Sequence, residues 1–467
     1  MARARAMDLT VGPILKNLII FALPIIGINV LQTLFHAADV AVLGIFSNDN
    51  AVASVGSTAS LTNLFIGFAT GLATGTNVLV ARAIGAKNPE KAQKYIGTSF
   101  SISILLGLII MAIVLVCAPY FLTWMNCPVA ILDGAVLYLR VYFLGVPIIL
   151  FYNFSAAIMR AVGDTLRPFI FLIIGGVANI VLNIFFVVVL KIDVAGVAIA
   201  TVASKGITAF LSLRVLFKGV GSVKFERKHF KLYKDEIKEI FLLGVPGGLN
   251  TCLFSLSNVL LVSTLNTLGE IVIAGNTIAH EVDQLISNFM SGFTLGGLSF
   301  FSQNLGAKKY NRVRKVLWIS FAFCMIVGFT VGLTIFLLGR FIFGFMTDSK
   351  QVIDVAMIRL AIMALTHCLS GTMNLFAHLL RSMKKPIISM VCSMFFTIGL
   401  RLIWIYTVFP FSPTLVTYYI IYPISWLLCT ITLASIALPL LHKLNVQHKI
   451  KEKQKSENQE NTQSIAG

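Results

Sequence analysis

Apolar residues in this chain do not alternate with polar ones. They run on in blocks of twenty or more, separated by short polar or basic stretches. A helix needs about 20 such residues to cross a bilayer, whereas a barrel strand needs only about 10. Read in order, the blocks predict twelve spans, near 13–46, 51–81, 95–121, 131–159, 168–190, 194–217, 239–268, 271–303, 316–345, 353–380, 387–410 and 414–441. Several are longer than crossing requires, which predicts tilted, kinked or protruding helices.

The pattern repeats. IGAKNPEKAQK near position 84 returns as LGAKKYNRVRK near 305, matching Gly85 to Gly306, Lys87 to Lys308 and Lys94 to Lys315 at an offset of 221. Gly71 and Gly292 share that offset, as do Arg160 and Arg381, while Pro24 and Pro246 differ by 222. Arg140 and Arg359, at 219, each open a span on the outer side in this reading. Six helices per half is an even number, so the halves share one orientation, related by an axis along the membrane normal. The expected fold class is therefore an all-α polytopic membrane protein, with twelve transmembrane helices in two pseudo-symmetric six-helix lobes. Its parts are an N-terminal lobe (1–217), a cytoplasmic linker (218–238) expected to form a surface helix, a C-terminal lobe (239–441) and a disordered cytoplasmic tail (442–467).

Composition then removes alternatives. With 57% hydrophobic and 12% charged residues, no soluble mass is left for an enzymatic domain, and no enzyme is expected. The formal charge of +18 could suggest nucleic acid, but 30 of the 37 lysines and arginines sit on alternate segments. These include the N-terminus (Arg3, Arg5, Lys16), the loop with Arg82, Lys87, Lys91 and Lys94, and the tail. The intervening loops, such as SNDN at 47–50, hold almost none. That is the positive-inside pattern. It places both termini in the cytoplasm of a multi-pass cell-membrane protein and assigns the charge to lipid headgroups, not nucleic acid. Seven scattered cysteines without C-x-x-C read as packing residues. MARARAMD before an apolar run mimics a signal peptide but offers no small-residue cleavage site, so the first helix is retained. No phosphate-binding G-x-x-x-x-G-K-[ST] loop is present, so energy must come from an ion gradient, a partner or the substrate's own gradient.

The polar residues inside the spans carry the chemistry. Asn29, Gln32, His36 and Asp39 are spaced three, four and three apart and form one stripe on the first helix. An aspartate at mid-helix costs about 2.5–3.5 kcal/mol to insert, and such residues mark ion or substrate paths unless a nearby surface hydrates them. His36, one turn from Asp39, reads either as a partner sharing a proton or as a hydrogen-bonded core histidine. Asn179 and Asn183 share one face of the fifth span. Unpartnered buried amides cost about 1–3 kcal/mol each, so these should bond to Asp39, Thr201 or water, or else glue helices together. The C-lobe has stripes of Asn276, His280, Asp283 and Ser287, of Thr251, Ser255 and Asn258, and of His367, Asn374 and His378. Lys205 and Arg401 must pair or snorkel, and Arg401 is expected to neutralise Asp283 or Glu281. The histidines supply no tetrahedral set, so no metal is expected.

Together AADVAVLG, VARAIGAKNPEKAQK, MRAVGDTLRPFI, GGVANIVLNIFFV, DVAGVAIATVAS and SFFSQNLGAKKY resemble the multidrug and toxic compound extrusion (MATE) family over residues 10–440, nearest its DinF-like and related bacterial branches. The resemblance implies an antiporter driven by protons or sodium, with no other cofactor. It implies cation coupling at Asp39, Asn179, Asn183 and Thr201, and bending of the first helix at Pro24. Many relatives carry aspartate where this chain has Asn183, which removes one of two N-lobe carboxylates; a seventh-helix glutamate of some relatives is also missing. The expected activity is export of amphipathic, often cationic compounds by alternating access of two lobes. The candidate substrate cavity takes Gln32, His36, Asn258, His280, Asp283 and Asn374. The expected partners are a small-molecule substrate and membrane lipid, and the expected state is monomeric. The rival readings are a flippase of lipid-linked sugars, an exporter of a small metabolite such as an organic acid, and a receptor or membrane enzyme.

Overall fold

In hydrocarbon a chain must satisfy its own backbone polar groups, and the helix does so locally. The computed structural model describes residues 6–47, 49–221, 223–266 and 268–466; Arg3 and Arg5 lie outside the described residues. Its helices are α1 (Ile14–Phe46), α2 (Asp49–Gly85), α3 (Pro89–Trp124), α4 (Val129–Leu144), α5 (Val146–Val162), α6 (Leu166–Asn183) and α7 (Asp193–Lys218) in the first half. The second half holds α8 (Lys234–Asn266), α9 (Glu270–Gly306), α10 (Tyr310–Gly344), α11 (Lys350–Ser382), α12 (Pro386–Met394), α13 (Leu400–Thr407) and α14 (Leu415–Ala466). α4 and α5 form one span bent by 51°. A π-helical stretch, Ile184–Val189, prolongs α6, and another, Phe395–Gly399, joins α12 to α13.

Among the described residues, ten helices are long and apolar enough to cross a membrane, eleven with the bent pair counted as one span. α9 makes the twelfth; it is 37 residues long and rich in glycine, serine and asparagine. The chain is thus an all-α, multi-pass membrane protein of two six-span lobes. Leu105, Ile109, Ile113 and Val116 on α3, and Ile326, Phe329, Leu337 and Phe341 on α10, are exposed apolar side chains of the kind that face lipid.

The repeat is visible in the backbone. Ala86 N donates to Arg82 O and Ala307 N to Gln303 O, both at 2.9 Å, and the following Lys87 and Lys308 take positive φ of 54° and 58°. At the basic face these two turns lie against each other. A Cβ on Gly85 would sit 1.9 Å from Gln303 O, and one on Gly306 would sit 2.1 Å from Arg82 O. Only glycine allows that approach. The flanking bonds are exchanged in the same way. Arg82 Nη1 donates to Ser382 O at 2.6 Å, and Gln303 Nε2 donates to Ala161 O at 2.7 Å. Each pair maps onto the other through the offset of 221. Farther into the bundle the lobes touch through Asn77 Nδ2 to Ser299 Oγ (3.2 Å), Asn288 Nδ2 to Thr33 Oγ1 (3.1 Å) and the T-shaped Phe21–Phe300 ring pair at 5.6 Å.

The N-terminal residues cross this seam as a strap. Met7 N donates to Gly163 O in the N-lobe (3.0 Å), while Leu9 N donates to Gln303 Oε1 (3.1 Å) and Leu9 O accepts from Asn304 Nδ2 (3.1 Å) in the C-lobe.

Two expectations about connecting segments need correction. The linker is not a surface helix. Gly219 and Gly221 take φ of +98° and +58° and end α7, and Val220 and Val223 form a bridge. Phe225 is buried against Phe100, with ring centroids 5.1 Å apart, and Arg227–His229 makes a single 3-10 turn. The apolar residues of the linker dock it on the N-lobe. The tail, expected to be disordered, has helical backbone to Ala466. Its lysine, glutamate and glutamine are good helix formers, and Lys453 and Glu457 pair one turn apart at 3.8 Å.

Candidate functional site

With the basic end closed, a cavity of about 480 Å³ remains inside the N-lobe, lined by α1, α2, α4, α5, α6 and α7, with Leu295 from the C-lobe. Asp39 lies in its wall, 9% exposed. Helical spacing puts Asp39 on the stripe that begins at Asn29, and α6 and α7 supply its partners. Asn183 Nδ2 donates to Asp39 Oδ1 at 2.5 Å, and Thr201 Oγ1 faces Asp39 Oδ2 at 3.4 Å. Asn179 Nδ2 reaches Thr201 Oγ1 at 3.5 Å, and its Oδ1 lies 3.4 Å from Asn183 Nδ2. Asn183 is fully buried, and its Oδ1 has no partner. The π-helical stretch begins directly after it; such stretches widen a helix locally and recur at functional sites. The cluster is therefore one carboxylate among two amides and a hydroxyl, which donate to it or to one another here and whose oxygens are hard ligands. Such a set suits a proton or a small alkali cation, not a soft transition metal. Among the described residues, no three His, Cys, Asp or Glu side chains gather to hold a metal ion.

Gln32 and His36 line the same cavity on the α1 face that carries Asp39. Tyr138 and Tyr142, stacked 5.9 Å apart, give it an aromatic wall. Lys205 enters from α7 with its Nζ 5.5 Å from the Tyr152 ring centroid, and Arg160 enters from the last turn of α5. α1 runs unbroken through Pro24, which lacks the N–H that would bond Ile20 O.

The other candidates lie apart from this cavity. Asp283 is sealed in the C-lobe, where its Oδ2 accepts from Arg359 Nε at 2.8 Å. Arg359 Nη1 also donates to Asn276 Oδ1, which accepts from Tyr419 OH at 3.1 Å. Arg401 was the expected partner of Asp283 or Glu281, and that expectation is overturned. α11 packs directly on α9, so Arg359 is the nearer cation, and it is buried instead of opening a span at the surface. Arg401 Nε donates to Ser425 Oγ at 3.0 Å, its guanidinium carbon lies 4.2 Å from the Tyr422 ring centroid, and Glu281 is exposed. His280 and Asn258 are half-buried; Asn374 is exposed and donates to Ser370 O on its own helix at 3.0 Å. None of Asn258, His280, Asp283 and Asn374 is among the residues lining the N-lobe cavity.

Sequence reasoning missed the α2 contribution, Thr58, Thr62 and Asn63. The i, i+4 spacing of the two threonines was the available signal. It also took Arg82 for a loop charge; the offset of 221 between Arg82 and Gln303 was the clue to a shared role in the seam.

A larger, half-open cavity of about 770 Å³ lies on the basic face, between the strap and the α2–α3 turn, with Asp8, Lys87 and Arg167 on its rim. It borders the closed seam, since Gly85 and Gln303 are among its lining residues.

Comparison with known proteins places these features. The MatE family profile matches the chain twice, at residues 24–185 and 246–407, one match per lobe. The chain is 27% identical over 390 residues to the probable multidrug resistance protein YoeA of Bacillus subtilis, covering 81% of this chain and 84% of that one. It is 23% identical over 380 residues to the multidrug export protein MepA of Staphylococcus aureus, covering 79% and 82%. An outward-facing multidrug resistance MATE transporter of the MOP superfamily superposes with a TM-score of 0.88 at 22% identity, over 93% of this chain and 98% of that one. At that identity the likeness speaks for the fold alone.

Proposed function

The chain belongs to the MatE family of multidrug efflux transporters, and from that premise we propose that it is a secondary active exporter in which Asp39 couples a cation gradient to the expulsion of amphipathic, often cationic compounds. Both termini lie in the cytoplasm of the cell membrane, so the closed basic end faces inward and the N-lobe cavity is reached from outside. A proton or sodium ion from outside binds Asp39 among Asn183, Thr201 and Asn179. The charge of Asp39 is then cancelled, and with it the attraction for a cationic substrate in the same cavity. The bonds that Asp39 makes to α6 and α7 weaken, and α1 repacks about Pro24. Substrate leaves outward as the lobes prepare to exchange.

The gradient is sufficient. One charge falling through 100 mV releases about 2.3 kcal/mol, and each pH unit adds about 1.4 kcal/mol. For a substrate without net charge the two together sustain a gradient of roughly a hundredfold or more per ion; for a monovalent cation the potential cancels in one-for-one exchange, and about tenfold per pH unit remains.

One observation carries the reading: a single carboxylate, nine-tenths buried, held by Asn183 at 2.5 Å in the wall of the N-lobe cavity. The test is transport of a fluorescent cation by reconstituted vesicles, with proton and sodium gradients imposed separately. At least one gradient should drive the wild type, and Asp39→Asn should abolish the driven component at equal protein content. Undiminished gradient-driven transport by Asp39→Asn would refute the assignment.

A further inference from the structure

We infer that the N-lobe cavity carries a second, anion-recognising subsite at Lys205 and Arg160, and that the transported class therefore includes amphipathic zwitterions. This rests on the export reading above. The cationic end of the substrate lies toward Asp39, and its carboxylate or phosphate lies toward Lys205 and Arg160.

The placement follows from helix geometry. Lys205 is one turn beyond Thr201 on α7, on the same face and about 6 Å farther along the axis toward the basic end. Arg160 lies in the last turn of α5, at that same end, and both line the cavity. Among the described residues neither side chain makes an ion pair, although each is partly withdrawn from solvent. Lys205 stands over the Tyr152 ring at 5.5 Å, which steadies the ammonium without neutralising it. Asp39 is the one acidic side chain among the lining residues, and Asn183 and Thr201 already engage its oxygens. The cavity thus holds two fixed cations against one fixed anion in a low-dielectric wall, which favours a ligand that brings an anionic group to the lysine end.

Coupling selects the zwitterion over a simple anion. Neutralising Asp39 makes the cavity more positive, so a purely anionic ligand would bind better with the coupling cation in place and could not be displaced by it. A ligand with a cationic end at Asp39 competes with the coupling cation, while its acidic end keeps it anchored. The volume of about 480 Å³ and the tyrosines at 138, 142 and 152 suit an aromatic body between the two charges.

The probes are rhodamine B, a zwitterion, and its ethyl ester, the same cation without the free carboxylate. Their dissociation constants are measured by fluorescence anisotropy on the full chain in lipid nanodiscs. A charge-assisted bond to the carboxylate predicts that the wild type prefers rhodamine B by tenfold or more. Lys205→Met should bring the ratio near unity through loss of rhodamine B affinity, Lys205→Arg should restore it, and Arg160→Gln should lower it in part. Equal wild-type affinities overturn the subsite. So does a Lys205→Met variant that weakens both dyes alike, or one that alters only the ion dependence of transport, since lysine would then be a tethered counter-ion of Asp39. The ratio is also read in Asp39→Asn. A ratio that persists there while gradient-driven transport proves independent of Asp39 removes the coupling reading and leaves the subsite standing.

Discussion

Gly85→Ala tests the seam directly. The new Cβ would lie 1.9 Å from Gln303 O and 2.7 Å from its carbonyl carbon. An ordinary carbon–oxygen contact is about 3.3 Å, so α2 and α9 must part there by roughly 1.4 Å. The bonds on either side, Arg82 to Ser382 O at 2.6 Å and Gln303 to Ala161 O at 2.7 Å, would then stretch toward 4 Å and cease to be hydrogen bonds. Overpacking costs about 1–3 kcal/mol, and each lost bond adds about 1 kcal/mol. Even a net 2–3 kcal/mol tips the balance between a basic end closed and a basic end open by a factor of tens to about a hundred. The assay is thiol labelling at Ser299→Cys in a background otherwise free of cysteine. Ser299 is fully buried, with its Oγ 3.2 Å from Asn77 Nδ2 across the seam. A membrane-impermeant maleimide applied from the basic side should label it at least ten times faster in Gly85→Ala. Gly306→Ala should match that increase, since its Cβ meets Arg82 O at 2.1 Å. Unchanged labelling in a variant that keeps its unfolding temperature and binds dye would show that the seam does not hold the basic end shut.

Two further outcomes follow from the ion pairs. Arg359→Met strands Asp283, whose side chain is 5% exposed; breaking a buried pair costs about 3–5 kcal/mol, so the unfolding temperature in detergent should fall by several degrees and recover when Asp283→Asn is added. Glu239 accepts from Tyr95 OH across the seam at 2.6 Å and from Lys384 Nζ at 2.9 Å while remaining about one-third exposed; discounted for screening, Glu239→Gln should speed Ser299→Cys labelling only a few-fold, and high salt should shrink the difference.

The sequence makes some of this legible and leaves the rest dark for a physical reason. Run length alone marks the spans, because hydrocarbon thickness fixes how many apolar residues a crossing takes. The offset of 221 marks the repeat, because the turns after α2 and α9 both need glycine and a left-handed lysine in the same places. Within one helix, period 3.6 puts Asp39 on a face with Gln32 and His36, and Asn179 with Asn183. Which faces meet is a different matter. Asp283 takes Arg359 and not Arg401 because α11 lies beside α9, a choice made by packing between helices that no spacing along the chain encodes. The linker misleads for a similar reason. Its basic residues look like a surface helix, while Gly219 and Phe225 bend it back onto the N-lobe core.

At the closed end, the acceptors for Arg82 and Gln303 are main-chain carbonyls, those of Ser382 and Ala161, and the atoms crowding the two glycines are main-chain too. The lock is therefore indifferent to which side chains stand at 161 and 382. Those positions are free to drift between lineages without loosening it, provided the helices keep their course. Its heritable weak points number four: two donors that must reach, and two residues that must stay bare.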